Sequence, residues 1–410
     1  MILLVPCVMA APYIPQDGSQ VIEQLPYKAL DPKTQELQNL RQALQREPNN
    51  LQLALRVARR YIEEARAESD PRFLGYAQAA LTPWWNGPSP PTEVLLLRAT
   101  IKQSMHQFDA AMIDLLEVLK RNPNNAQAWL TRATILQVRG DYAEAKRSCQ
   151  ALIPLTNGLV TGMCLAEVGS VSGDAEKSYA ALERIMTRSS QMLAEEKVWV
   201  LTLMAEIAER LGQASEAEKK FQQALALQVR DAYLLAAYAD FLLDQNRPKD
   251  ILNLLQKKTA ADGLLLRLAL AEKMLGEKTL TEHVEALKAR FVASTMRGDF
   301  HRREEARFVL AFSDQPQAAV KLALDNWQVQ REPWDVRVLL LAGIRMKDQR
   351  PINVARDWLK QTRLEDVRLQ NLLRIANGQK LSIGVVTRSL HIARGESHES
   401  FFWRRAVTYL

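Results

Sequence analysis

Five histidines, His106, His283, His301, His391 and His398, are the side chains best suited to bind a metal or move a proton near neutral pH, and no two stand at ligand spacing. They read as surface residues in turns or on charged helix faces. A serine nucleophile would need the Gly-x-Ser-x-Gly elbow, but Gly169-Ser170-Val171-Ser172-Gly173 places valine where the nucleophile belongs. There is no His-Glu-x-x-His pair and no glycine-rich phosphate loop. Cys7, Cys149 and Cys164 also lack metal-ligand spacing. Cys149 and Cys164 fall on consecutive predicted helices, where each is expected as a buried thiol, or as a disulfide pair if the chain is exported. Arg139-Gly140-Asp141 and Arg297-Gly298-Asp299 repeat an adhesion-type tripeptide, but both fall at turns between helices, where glycine and aspartate already have structural work. No catalytic residue, metal or cofactor is assigned, and the chain is expected not to be an enzyme.

The elements that carry these residues are helices. Hydrophobic residues make up 47% of the chain and charged residues 25%, with only 16 Gly and 17 Pro, as in an ordered protein. Apolar positions recur at helical spacing, as in Leu264, Leu265, Leu268 and Ala269, without an alternating strand-like run. The net charge of +7 comes from cations scattered in pairs such as Arg59-Arg60 and Lys219-Lys220, so no phosphate-tracking stripe exists and a nucleic-acid partner is not expected. Residues 1–11 form a short apolar run ending in Val8-Met9-Ala10-Ala11, similar to the cleavage end of a signal peptide but lacking its cationic start. No segment reaches the roughly 20 apolar residues of a membrane span.

Small residues recur instead. Ala58, Ala99, Ala133, Ala166, Ala205, Ala239 and Ala269 are separated by 41, 34, 33, 39, 34 and 30 residues, and Ala342 returns later. Ala111, Ala145 and Ala217 each follow one of these by 12 residues, which lets two antiparallel helices cross closely. Leu115, Cys149, Phe221 and Leu255 would fill the space beyond each crossing. The turn between paired helices also repeats, as Gly140-Asp141-Tyr142, Gly173-Asp174-Ala175, Gly212-Gln213-Ala214 and Asn246-Arg247-Pro248. Pro48-Asn49-Asn50 and Pro123-Asn124-Asn125 end units alike, with asparagine placed to cap the next helix.

These residues resemble the tetratricopeptide repeat family, best over 126–158, where Trp129, Ala133, Gly140, Tyr142, Ala145 and Leu152 occupy the family's hydrophobic and small positions. The resemblance runs from Leu51 to Arg363 and departs from the pattern where Arg307 replaces a small residue. It implies an all-α, right-handed α-solenoid of about nine helix pairs, with its best units at 92–125, 126–158, 198–231 and 232–261. A leading segment with a capping helix would occupy 12–50, the repeats 51–365, and a cap or tail with Phe401, Phe402 and Trp403 would occupy 366–410.

The same resemblance places the first helix of each pair on a concave face. There the early units would present Gln103 and Gln137, and the middle units Glu167, Glu206, Glu209, Asp240 and Asp244. Such a groove would favour a protein or peptide segment with Lys or Arg. It lacks the lysine and asparagine set that chaperone-binding members use for an acidic carboxylate. Trp84 and Trp85, in the proline-rich insertion 81–91, would either dock a partner or fold back over the neighbouring helices. The expected function is a non-catalytic interaction scaffold, exported and periplasmic, as in exported bacterial members of the family. The alternatives are a cytoplasmic location, and an accessory or regulatory subunit positioning a catalytic partner in an envelope complex.

Overall fold

A computed structural model describes residues 32–188, 192–297 and 302–379; the apolar run 1–11 and the aromatic cluster Phe401, Phe402 and Trp403 lie outside them. Among the described residues there are only helices and the turns that join them. A lone helix, α1 (Pro32–Arg46), comes first. Nine antiparallel pairs follow: α2 (Leu51–Glu68) with α3 (Arg72–Ala80), then, after the short α4 (Thr82–Trp85), α5 (Thr92–Ser104) with α6 (Phe108–Arg121). The series continues as α7 (Ala126–Val138) with α8 (Tyr142–Gln150), α9 (Gly158–Ser170) with α10 (Ala175–Arg188), and α11 (Ala194–Arg210) with α12 (Ala214–Ala226). After these come α13 (Ala232–Asp244) with α14 (Pro248–Leu255), and α15 (Asp262–Leu275) with α16 (Leu280–Arg297). The last pairs are α17 (Arg302–Phe312) with α18 (Ala318–Trp327) and α19 (Pro333–Met346) with α20 (Gln349–Thr362), and α21 (Val367–Ala376) closes the series on α19. No described helix is long and apolar enough to cross a membrane.

Local chemistry sets the helix ends. Asn50, Asn125, Asn157 and Asp231 each accept a hydrogen bond from a backbone N–H three residues ahead, which satisfies one of the unpaired donors that open α2, α7, α9 and α13. Gly140, Gly173, Gly212 and Asn246 all take positive φ and end the first helix of a pair, while His106 does the same between α5 and α6. The two helices of a pair then bury different amounts of surface. The inner helix α15 is buried nearly all round through Leu264, Leu265, Leu266, Leu268, Ala269 and Leu270, whereas its outer partners show one apolar face. Ala133 and Ala205 lie buried at helix crossings. Replacing either with leucine should overpack its crossing and lower stability by about 1–3 kcal/mol, measured by urea unfolding. A neutral result at both would show that these alanines do not set the helix approach.

Cys149 and Cys164 form a buried disulfide that ties α8 to α9, with Cα atoms 5.6 Å apart. Closing its 15-residue loop stabilises by about 3 kcal/mol in the chain-entropy account.

The array does not remain an open spiral. The sixth pair returns to the first: α13 packs on α2, and Arg230 bridges Glu64 and Glu68 at 3.3 and 3.0 Å. Beyond it, residues 330–368 run across the successive turns of the second to fifth pairs. Gln330 contacts His106 (3.1 Å), the Arg331 N–H donates to Val138 O (2.7 Å), and the Trp358 ring sits on Gly140. Arg363 lies against Gly173, Glu365 accepts from the Ala175 N–H at the start of α10 (2.7 Å), and Val367 covers Gly212. The turn glycines therefore serve twice, as left-handed helix stops and as places where another segment can approach the backbone.

Candidate partner-binding face

The inner helices α7, α9, α11 and α13 carry Gln137, Glu167, Glu206, Glu209, Asp240 and Asp244, and the structure divides these residues into two groups. Asp240 and Asp244 are buried and already matched by cations of the same chain. Asp240 pairs with Arg267 at 2.5 Å and with Arg307 at 2.6 Å. Asp244 accepts from Arg337 at 2.7 Å, and Glu209 lies 2.7 Å from Arg368, which also pairs with Asp366 at 2.8 Å. The expectation that all five carboxylates face an open groove is thus corrected for these three. The returning helices α17, α19 and α21 bring arginines onto that wall.

The arginine side of this network went unseen in sequence. Arg307 is fully buried and Arg337 is 2% exposed, and both guanidinium groups lie over the Trp334 ring, at 4.2 and 4.5 Å from its centre. The departure at Arg307 is therefore a buried ion pair, while the neighbouring Ala306 supplies a fully buried small side chain. Burial works against the charged Asp240, but Arg267 and Arg307 overcome it and hold its carboxyl below the usual range. Asp366 behaves alike: burial opposes ionisation and Arg368 outweighs it. A signal was present in the sequence, since Leu266-Arg267-Leu268 and Val336-Arg337-Val338 each set an arginine inside an apolar run, where a cation needs a buried partner.

Glu167 and Glu206 differ. Glu167 accepts from Gln137 Nε2 (3.2 Å) and Glu206 from the Tyr233 hydroxyl (2.8 Å); neither forms an ion pair with a described residue. Burial pushes the Glu167 carboxyl up to about 7, with Gln137 opposing and Glu206 and Glu332 adding to the rise. Burial also raises Glu206, against the pull of Arg210. The Tyr233 ring is 62% exposed, yet burial pushes its hydroxyl well above the usual range. Gln137, Glu167, Glu206 and Tyr233 thus form a wet acidic patch beside the sealed network, and Gln103 lies half-buried on α5, apart from these contacts.

The remaining candidates lie elsewhere. Trp84 and Trp85 are half-buried against the core of α2, α3 and α5, and Arg98 covers the Trp85 ring at 5.9 Å while donating to the Trp85 carbonyl, so the rings cover that core. His106 and His283 are not simple surface residues: His106 contacts Gln330, and His283 Nδ1 lies 2.8 Å from the buried Glu272. Among the described residues no group of three or more His, Cys, Asp or Glu could hold a metal ion.

A family model described as a tetratricopeptide repeat matches residues 115–147, from Leu115 in α6 to Arg147 in α8, and supports reading the chain as a protein of such repeats. Repeats of this kind generally mediate contacts between proteins. Among curated proteins none matches the chain.

Proposed function

We propose that the chain is a non-catalytic scaffold whose concave patch at Glu167 and Glu206 receives a Lys- or Arg-bearing segment of a protein partner. The observation that carries this reading is the contrast between the two sets of carboxylates. Glu209, Asp240, Asp244 and Asp366 each pair with an arginine of the same chain, whereas the partly exposed Glu167 and Glu206 hydrogen-bond to the neutral Gln137 and Tyr233. A cation arriving there would stabilise the ionised carboxylates and displace the proton that burial favours.

A labelled peptide series differing only in Lys and Arg content tests this. Basic members should bind, and Glu167→Gln with Glu206→Gln should weaken them at least tenfold at low salt. Affinity should rise with pH through about 7, where Glu167 ionises, because the bound cation favours the carboxylate. The double variant should lose that dependence. Equal binding of acidic and basic peptides, or an unchanged pH profile in the variant, would count against the patch.

The disulfide supports the exported location, since a buried structural cystine is rare in a reducing cytosol. Protein taken from its host under acid quench, denatured and treated with maleimide should leave Cys149 and Cys164 unlabelled until a reductant is added. Labelling without reductant would place the chain in a reducing compartment.

A further inference from the structure

We propose that the C-terminal helices α17 to α21 act as an internal pseudo-ligand, whose arginines hold the acidic wall in a closed state that a basic partner segment must displace to bind in full. This rests on the reading of the concave face above and adds a regulation to it. Glu209, Asp244 and Asp240 come from successive inner helices, α11 and α13, and face Arg368, Arg337 and Arg307 from α21, α19 and α17. The cations therefore occupy the wall in order, as basic residues of a bound segment would. The wet patch at Glu167 and Glu206 stands next to this wall, on α9 and α11, with Arg368 close enough to Glu206 to lower its carboxyl.

Closure has two kinds of contact. The buried arginine pairs form one. The other is the seam across the turns: Gln330 on His106, Arg331 on Val138, Trp358 on Gly140, Glu365 on Ala175 and Val367 on Gly212. The seam joins segments distant in sequence and uses none of the contacts between the two helices of a pair, so it can part without unmaking any pair. Buried ion pairs fix which surfaces meet more than they add to stability, which suits a contact that has to be exchanged for another of the same chemistry.

The test uses the full chain, a labelled octapeptide of alternating Arg and Ala, and amide hydrogen exchange. Arg337→Met with Arg368→Met should raise exchange at 139–141, 173–175 and 212–213 at least tenfold and tighten the peptide at least tenfold, because Asp244 and Glu209 become available. Glu365→Ala with Val367→Ala removes two seam contacts and leaves Asp240, Asp244 and Glu209 with their arginines; it should raise exchange at the same turns and tighten the peptide by a smaller factor. If the arginine variant does not fold, the seam variant decides by the same two readouts. Unchanged exchange at the turns overturns the proposal. So does a seam that opens while peptide affinity stays level or falls. If wild-type binding ignores Glu167→Gln with Glu206→Gln, the reading of the patch fails; if it responds and the opening variants bind no tighter, only the closure does.

Discussion

Asp240→Ala should lower the unfolding free energy by about 3–5 kcal/mol, the cost of leaving buried charge without its counterion. Arg307 is fully buried and Arg267 nearly so, and Asp240 is the carboxylate that both guanidinium groups share, at 2.6 and 2.5 Å. Arg267 would keep its bonds to the carbonyls of Ala236 and Gly263, at 3.1 and 2.7 Å, and Arg307 its place over Trp334. Those contacts soften the loss without supplying a negative charge. Replacing all three members, as Asp240→Leu with Arg267→Met and Arg307→Met, should return most of the stability, because desolvation and attraction disappear together. Urea unfolding of the wild type and the two variants measures both steps. A cost below about 1 kcal/mol for Asp240→Ala would mean that water reaches the network. The pH dependence has a definite sign. The Asp240 carboxyl is held below its ordinary 3.8, so its contribution is complete above that value and is lost as acid carries the pH down through the lower folded value.

Gly140→Ala should cost about 2–5 kcal/mol, more than the same change at Gly276. Both glycines have positive φ, 79° and 73°, so both variants bear the left-handed penalty of about 1–2 kcal/mol for a residue with a Cβ. Around Gly276 a new methyl meets nothing within 4 Å, whereas at Gly140 it would overlap the Trp358 ring. That ring cannot step aside freely, since it lies edge-on to Trp327 at 5.3 Å and beside Tyr142 at 5.9 Å. Overpacking of this kind adds about 1–3 kcal/mol. The difference between the two variants in thermal or urea unfolding therefore isolates the seam. Equal costs would show that Trp358 does not rest on the turn.

What the sequence made legible is what a single unit determines. Alanine at the crossings, glycine or asparagine at the left-handed stops and asparagine at the caps are each dictated within about 34 residues, and Ala133, Gly140, Asn246, Asn50 and Asn125 all perform those roles. Even there, the stop at His106 is hidden, because histidine takes the left-handed conformation without advertising it. The fate of the acidic residues was not legible. Where Asp244 ends up depends on small rotations accumulated over several pairs, and its partner Arg337 stands 93 residues away. A repeat pattern fixes which side of a helix faces inward; it does not say what else arrives there. The arginines inside apolar runs were the one local hint, and they name a need for a counterion without naming which.

That 93-residue separation has a consequence in time. A ribosome adds about 5–20 residues per second, so Asp244 exists for roughly 5–20 s before Arg337 is made. During this interval the first pairs can already stack, since their crossings and caps are local, but the carboxylates that the finished protein seals must stay hydrated. The emerging chain is thus a half-spiral with an uncovered anionic face, more acidic in character than the mature molecule whose net charge is +7. Any basic surface it meets before its last helices are synthesised encounters a different protein from the one that is finally released.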